Sequence, residues 1–316
     1  MLMKQKRSLL AAAAILLIAV ILLYPDQCLR LALNGLNLWF MKMIPALFPF
    51  MVLSGILIRM QLTEPCMKIL TPILGRLFQV SGNCVYGIVI GFLCGFPMGA
   101  HTAAELYKNK MISKKEASFL LAFCNNIGPV YFVSFVMPTL GFPSYGLYLF
   151  GMYGIPFLYG LFLRYVIYRD IPNLRTAKAR QTQPAPSLFQ ALDQSLESGL
   201  FNIARLGGYM IVFNLLFVVP ILLSNLLGLS DQQQLLFTGS AGCLLEITGG
   251  ISQLGANAPY LALCILPFGG LSCIAQTSGM IRDTDLSLTE YIMHKMILTA
   301  ITVFFYLLAA NRFFLP

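Results

Sequence analysis

Long continuous apolar runs follow one another along this chain with only short polar connections between them; Leu9 to Tyr24 and Leu206 to Leu229 are two examples. In hydrocarbon such a run must satisfy its own backbone hydrogen bonds, and a helix does so within one segment. A β-barrel would instead show segments of about ten residues with strict alternation. Of the 316 residues, 58% are hydrophobic and 10% are charged, against about 25% charged in a soluble domain. So few charges cannot coat a water-facing surface, and an all-α polytopic membrane protein is expected. The net charge of +9 is accounted for by a few basic loops that set topology, so no nucleic-acid partner is expected.

Apolar length and breaks divide the chain into segments 8–24, 34–58, 82–106, 116–138, 143–168, 199–228, 235–253, 258–281 and 290–313. Segment 64–80 carries Lys68 and Arg76 among apolar residues and reads as an amphipathic helix at the membrane interface. Basic residues concentrate in the N-terminus (Lys4, Lys6, Arg7), in 59–80, in 107–115 and in 169–190. All four are therefore expected on the cytoplasmic side. The 225–235 connection has no basic residue and carries Asp231, which places it outside. Both ends of 82–106 then face the cytoplasm, which a single crossing cannot achieve and a re-entrant hairpin can. Gly91, Gly95, Pro97 and Gly99 interrupt that segment, and such residues let a chain leave helical geometry. Segment 235–253, interrupted at Gly239, Gly242, Gly249 and Gly250, reads as a second hairpin entering from the opposite face. The expected fold is thus two inverted structural repeats, each with a re-entrant hairpin and a broken helix.

The organisation follows as one membrane domain: 1–30 an N-terminal helix, 31–168 a first repeat, 169–195 a cytoplasmic linker, and 196–316 a second, inverted repeat. The basic start and apolar run 9–23 resemble a signal peptide, but Tyr24-Pro25-Asp26-Gln27 offers no small-residue cleavage pattern, so an uncleaved helix is expected. The 169–190 connection, with Pro172, Pro184 and Pro186, reads as mobile. The eight cysteines show no disulfide or zinc spacing, and the two histidines, His101 and His294, are too scattered for a metal site. No metal and no cofactor is expected beyond a coupling Na⁺ or H⁺. No catalytic constellation of Ser/His or paired carboxylates is visible, so no enzyme is expected.

The hairpin breaks are placed at Gly95, Pro97 and Gly99, and the first broken helix at Pro129. Where the hairpins meet the broken helices, exposed amides and carbonyls can hold a solute or an ion. Asn125 and Asn126, just before Gly128-Pro129, offer donors and acceptors without charge, either for a ligand or as caps for the broken backbone. Glu246 lies in an apolar run before Thr248-Gly249-Gly250. A carboxylate there is costly and calls for a role or a partner: ion, proton or ligand hydroxyl, or else a place at the outer interface or pairing with Arg205. Ser272, Gln276, Thr277 and Ser278 give the second broken helix, with Gly270 at its break, a polar face, which serves ligand contact or helix–helix hydrogen bonding. Lys42, Arg164 and Lys295 are expected to snorkel from helix ends, and Glu105 to pair with Lys108.

The motifs Gly91-Phe92-Leu93-Cys94-Gly95-Phe96-Pro97-Met98-Gly99-Ala100, Ala104-Glu105-Leu106 and Leu121-Ala122-Phe123-Cys124-Asn125-Asn126-Ile127-Gly128-Pro129 resemble the Gate, or nucleoside-recognition, family, and within it the sporulation integral membrane proteins. That family is related to concentrative nucleoside transporters, built on two inverted hairpins and two broken helices. The resemblance implies a multi-pass protein of the bacterial inner membrane, or of a forespore membrane, with its N-terminus in the cytoplasm. It implies a transporter or channel for a small polar or anionic solute: dipicolinate or a related dicarboxylate, or a nucleoside-like solute. The first tip, Gly95 to Gly99, has no polar side chain, so nucleoside specificity is not carried over. A non-transporting scaffold or signalling protein with a vestigial gate is the alternative. The expected partners are that solute and the lipid bilayer; a homo-oligomer is compatible with both.

Overall fold

The computed structural model describes residues 2–142, 146–171 and 186–313. Their regular structure is all helical, without a strand. Among the described residues six helices are long and apolar enough to cross a membrane: α2 (Pro25–Arg59), α6 (Lys114–Leu140), α7 (Gly146–Val166), α8 (Leu188–Leu226), α11 (Pro259–Ile281) and α12 (Leu288–Phe313, apolar over Leu288–Leu308). Ahead of them lies α1 (Leu2–Leu23). Between them lie α3 (Thr71–Phe78), α4 (Gly82–Cys94), α5 (Met98–Lys108), α9 (Asp231–Leu245) and α10 (Ile247–Leu254).

Three element boundaries differ from the sequence expectation. Helix α2 starts at Pro25 and not at 34, because Pro25 occupies the first helical position, where its missing N–H costs nothing. Helix α8 starts at Leu188, inside the expected 169–195 linker, and Ser187 with Gln190 forms a capping box at that point. The stretch 64–80 is not one interface helix. It contains Thr63–Cys66 and α3, and α3 turns by 97° into α4. Most of the connection read as mobile, 172–185, lies outside the described residues.

Helices α2 and α8 form a frame. Each helix is notched where the other crosses it: a Cβ on Gly35 of α2 would meet the Met210 carbonyl oxygen at 2.7 Å, and one on Gly207 of α8 would meet the Trp39 ring at 2.5 Å. Trp39 Nε1 donates to the Ile203 carbonyl at 2.7 Å across the same contact. Small residues let helix backbones approach where lipid provides no hydrophobic drive.

Two pairs of short helices sit beside this frame. Helices α4 and α5, of 13 and 11 residues, extend only about 20 and 16 Å at 1.5 Å per residue. Neither can cross about 30 Å of hydrocarbon alone. They pack on each other around Gly95, Phe96 and Pro97. Helices α9 and α10 pack likewise, and they run antiparallel: Gly239 lies against Leu254, and Gly242 against Gly250. Helix α4 also runs alongside the first half of α6. Gly87 faces Leu120, Gly91 faces Cys124 and Gly95 faces Gly128, with one constant offset.

Apolar packing forms two cores. One surrounds α4, α5 and the first half of α6; the other joins the second half of α6 to α9, α10 and α11. Phe96 packs against both. The polar ends are tied by ion pairs: Glu105 with Arg59 at 3.5 Å and with Lys108 at 3.8 Å, Lys108 with Asp283, and Lys114 with Asp285. The Lys114 ammonium and the Tyr107 hydroxyl hold the Asp285 carboxyl below its usual range.

A Cβ on Gly250 would lie 2.1 Å from the Cys243 backbone nitrogen, whereas one on Gly208 meets nothing within 4 Å. Gly250→Ala is therefore expected to cost about 1–3 kcal/mol as overpacking. Gly208→Ala should leave stability unchanged or raised. Thermal unfolding of the purified variants in detergent separates the two.

Candidate functional site

Helices α6 and α11 are both interrupted near their middles, and each interruption receives the end of one helix pair. In α6 the break covers Asn125 to Gly128, and Pro129 restarts the helix at its first position. Gly95, at φ +71°, ends α4 against it; a Cβ there would fall 2.2 Å from the Gly128 nitrogen. The Phe96 N–H donates to the Asn126 carbonyl at 2.6 Å. In α11 a 3₁₀ turn at Leu266–Phe268 is followed by Gly269 and Gly270, at φ +83° and +75°. A Cβ on Gly270 would crowd the carbonyls of Cys243, Leu244 and Leu245 at 3.0–3.3 Å. Leu245–Glu246–Ile247, where α9 turns into α10, thus abuts the second break.

The two asparagines close the first break. Asn125 Oδ1 accepts from the Ala100 N–H at 3.2 Å, and Asn125 Nδ2 donates to Thr277 Oγ1 at 2.8 Å and to the Tyr291 hydroxyl at 3.3 Å. Asn126 Nδ2 donates to the Phe123 carbonyl at 2.6 Å. Lys295 Nζ donates to the Asn125 carbonyl at 3.0 Å and to Asn126 Oδ1 at 2.8 Å. Lys295 is 2% exposed, so it does not snorkel from a helix end. Arg164 is also buried, and its guanidinium donates to the carbonyls of Gln79, Tyr168 and Ile171.

Glu246 is 3% exposed. Its carboxylate caps α10, accepting from the Thr248 N–H at 3.1 Å and the Gly249 N–H at 2.9 Å. A negative cap is well placed at the positive end of a helix. Arg205 goes elsewhere, donating to the Gly279 carbonyl at 2.6 Å. The Tyr131 hydroxyl, one turn past the first break, donates to Thr248 Oγ1 at 3.0 Å and so joins that break to the second tip.

In front of these junctions lies a cavity of about 560 Å³, within the size range of small-molecule sites. Its wall draws on both tips (Phe96, Pro97, Glu246, Thr248), both broken helices (Gly128, Tyr131, Ser134, Gln276) and the frame (Lys42, Phe50, Met210). Lys42 stands 5.0 Å from the centre of the Phe135 ring. Most of the wall is apolar or aromatic, with a few polar groups directed inward.

The sequence-predicted residues divide accordingly. Gly128, Glu246, Thr248 and Gln276 line the cavity, and so does Pro97. Asn125, Asn126, Gly249, Gly270 and Ser272 lie behind the wall. There Ser272 Oγ accepts from Gln276 Nε2 at 2.9 Å and so positions a residue that does face it. Gly95, Gly99 and Pro129 shape the first junction. Lys42, Tyr131 and Lys295 were not singled out as site residues from the sequence. Lys295 carries the same signal as Glu246, a charge within an apolar run; Tyr131 lies one turn past a Pro break.

These helices define a multi-pass membrane protein with a solute-sized cavity at paired helix interruptions. Residues 40–143 match the family model described as nucleoside recognition, the Gate family. The matched stretch holds the first tip and first break together. The chain is also similar to the sporulation integral membrane protein YlbJ of Bacillus subtilis (strain 168), at 25% identity over 327 residues covering 92% of this chain and 79% of that protein. Both findings bear out the resemblance read from Gly91–Ala100 and Leu121–Pro129. No solved structure matches the chain.

Asn125→Leu would keep side-chain volume, strip the acceptor from the Ala100 N–H and remove one donor from the Thr277 and Tyr291 hydroxyls, which keep each other. A loss of about 1–3 kcal/mol per group left unsatisfied is expected, read as a clear fall in melting temperature. Tyr131→Phe frees only Thr248 Oγ1 at the cavity wall, and should melt within a few degrees of the parent.

Proposed function

We propose that this chain is a membrane transporter or channel that passes a small polar or anionic solute through the cavity between the two tips and the two breaks. One observation carries the proposal: the cavity is walled by both helix pairs and both broken helices at once. A solute there touches every interrupted segment, so its binding can bias how those segments sit. Such interruptions are tolerated at membrane depth where they are buried in protein or line a cavity. Lys42 and the second N–H of Gln276 supply donors, and the Tyr131, Ser134 and Thr248 oxygens supply acceptors, among aromatic faces, a wall suited to a planar polar solute with Lys42 to meet its negative charge. Dipicolinate or a related dicarboxylate is the preferred solute, and a nucleoside-like solute comes second. The name of the Bacillus subtilis relative supports a place in sporulation, in the inner or forespore membrane.

The architecture belongs to the same proposal. The two pairs are re-entrant hairpins entering from opposite faces, each half being an inverted copy of the other, as in concentrative nucleoside transporters. Two matched contacts support it: Gly128 packs on the Cys94 carbonyl, and Gly270 on the Cys243 carbonyl. The N-terminus then lies in the cytoplasm.

Glu246→Gln keeps the side-chain shape and removes the charge. In proteoliposomes presented with radiolabelled dipicolinate and uridine, the parent should show saturable uptake and Glu246→Gln should lose at least ~10-fold, about 1.4 kcal/mol, while melting like a folded protein. Full uptake by the variant would remove Glu246 from the mechanism, and no uptake of either probe by the parent would count against transport of these solutes. Separately, cysteines placed at Lys110 and Gly228 should react with impermeant maleimide from opposite faces of the membrane. Labelling from the same face would collapse the paired-half architecture.

A further inference from the structure

Lys295 places a buried amino group in the interior of α12. Among the described residues no carboxylate forms an ion pair with it. A buried cation without a counter-ion is costly, and a well-packed apolar side chain of similar volume would avoid that cost. Packing alone therefore gives no reason for a lysine here. Nor does Lys295 belong to the cavity wall, so it is not the counter-charge of a bound solute.

Its surroundings are those of a bound monovalent cation. The ammonium touches two neutral oxygens, the Asn125 carbonyl and Asn126 Oδ1, and stands 4.4 Å from the centre of the Phe96 ring. Carbonyls released by an interrupted helix and aromatic faces both attract cations. The Asn125 carbonyl is available because the backbone leaves helical geometry there, at φ −101° and ψ 77°. The three ligands come from both partners of the first junction, two from the break and one from the tip. The charge comes from a third element.

We propose that the Lys295 ammonium is the resident cation of this junction: the break and the tip together form a monovalent-cation site, and the chain fills it with its own side chain, clamping Phe96 onto Asn125 and Asn126. The junction then needs no inorganic ion to hold it closed. Lys295 is a positioning residue, acting on the cavity through Phe96.

The test uses purified full-length protein and no solute, so its outcome is separate from the transport proposal. Cys94 ends α4 and lines the cavity beside the tip. Its alkylation by N-ethylmaleimide, resolved by peptide mass spectrometry, reports opening of the tip. Lys295→Ala empties the site and should speed Cys94 alkylation several-fold. Millimolar n-butylammonium should restore protection, with ionic strength held constant by choline chloride, whereas n-butanol should not. An unchanged rate in the variant, or equal restoration by n-butanol, overturns the proposal, because the side chain would then only fill space. Should Lys295→Ala fail to fold, Lys295→Arg and Lys295→Met decide. Arginine is expected to keep Cys94 protected and methionine to lose protection; equal protection in both overturns the proposal.

Discussion

Inside a bilayer, a backbone amide or carbonyl without a partner costs several kcal/mol, and the two interrupted helices create such groups at a depth where lipid offers no partner. The rest of the structure is arranged to answer that demand. At the first break the Phe96 N–H takes the Asn126 carbonyl and Lys295 takes the Asn125 carbonyl, while the Asn125 side chain takes the Ala100 N–H. At the second tip both oxygens of Glu246 are used on the first amides of α10. The residues that looked most like ligand contacts are thus also the residues that make an irregular backbone possible at this depth.

The two roles are compatible because they use different parts of the same neighbourhood. Behind the wall, Asn125, Asn126 and Lys295 hold the break. In front of it, Lys42, Tyr131, Ser134, Thr248 and Gln276 face open volume. Glu246 belongs to both, a cap whose carboxylate also borders the cavity. A carboxylate shared in this way cannot change its protonation or its partners without altering the start of α10.

Much of this was legible in the sequence because it rests on local rules. Apolar length marked the crossing helices, and Gly95, Pro97, Gly99 and Pro129 marked the interruptions through their own backbone preferences. Glu246 stood out through the cost of its charge. What was not legible depends on distant partners. Lys295 reads as a helix-end residue because nothing near it in sequence reveals the Asn125 carbonyl and the Asn126 Oδ1 that face it in space. The start of α2 at Pro25 was missed because the polar stretch Pro25–Arg30 resembles a loop, although its proline suits a helix start. The division of the polar residues between wall and scaffold depended on which side of each short helix meets the cavity, and the sequence pattern does not specify that.

One ring also ties the first half of the chain to the second. Phe96, from the first tip, fills a slot at Gly269 in the second broken helix, where even a single methyl would approach to 2.7 Å. Two parts that share so narrow a fit behave as an interlock. Neither segment has freedom of its own at that point, and a change of one carbon at position 269 would be transmitted to a loop more than half the chain away.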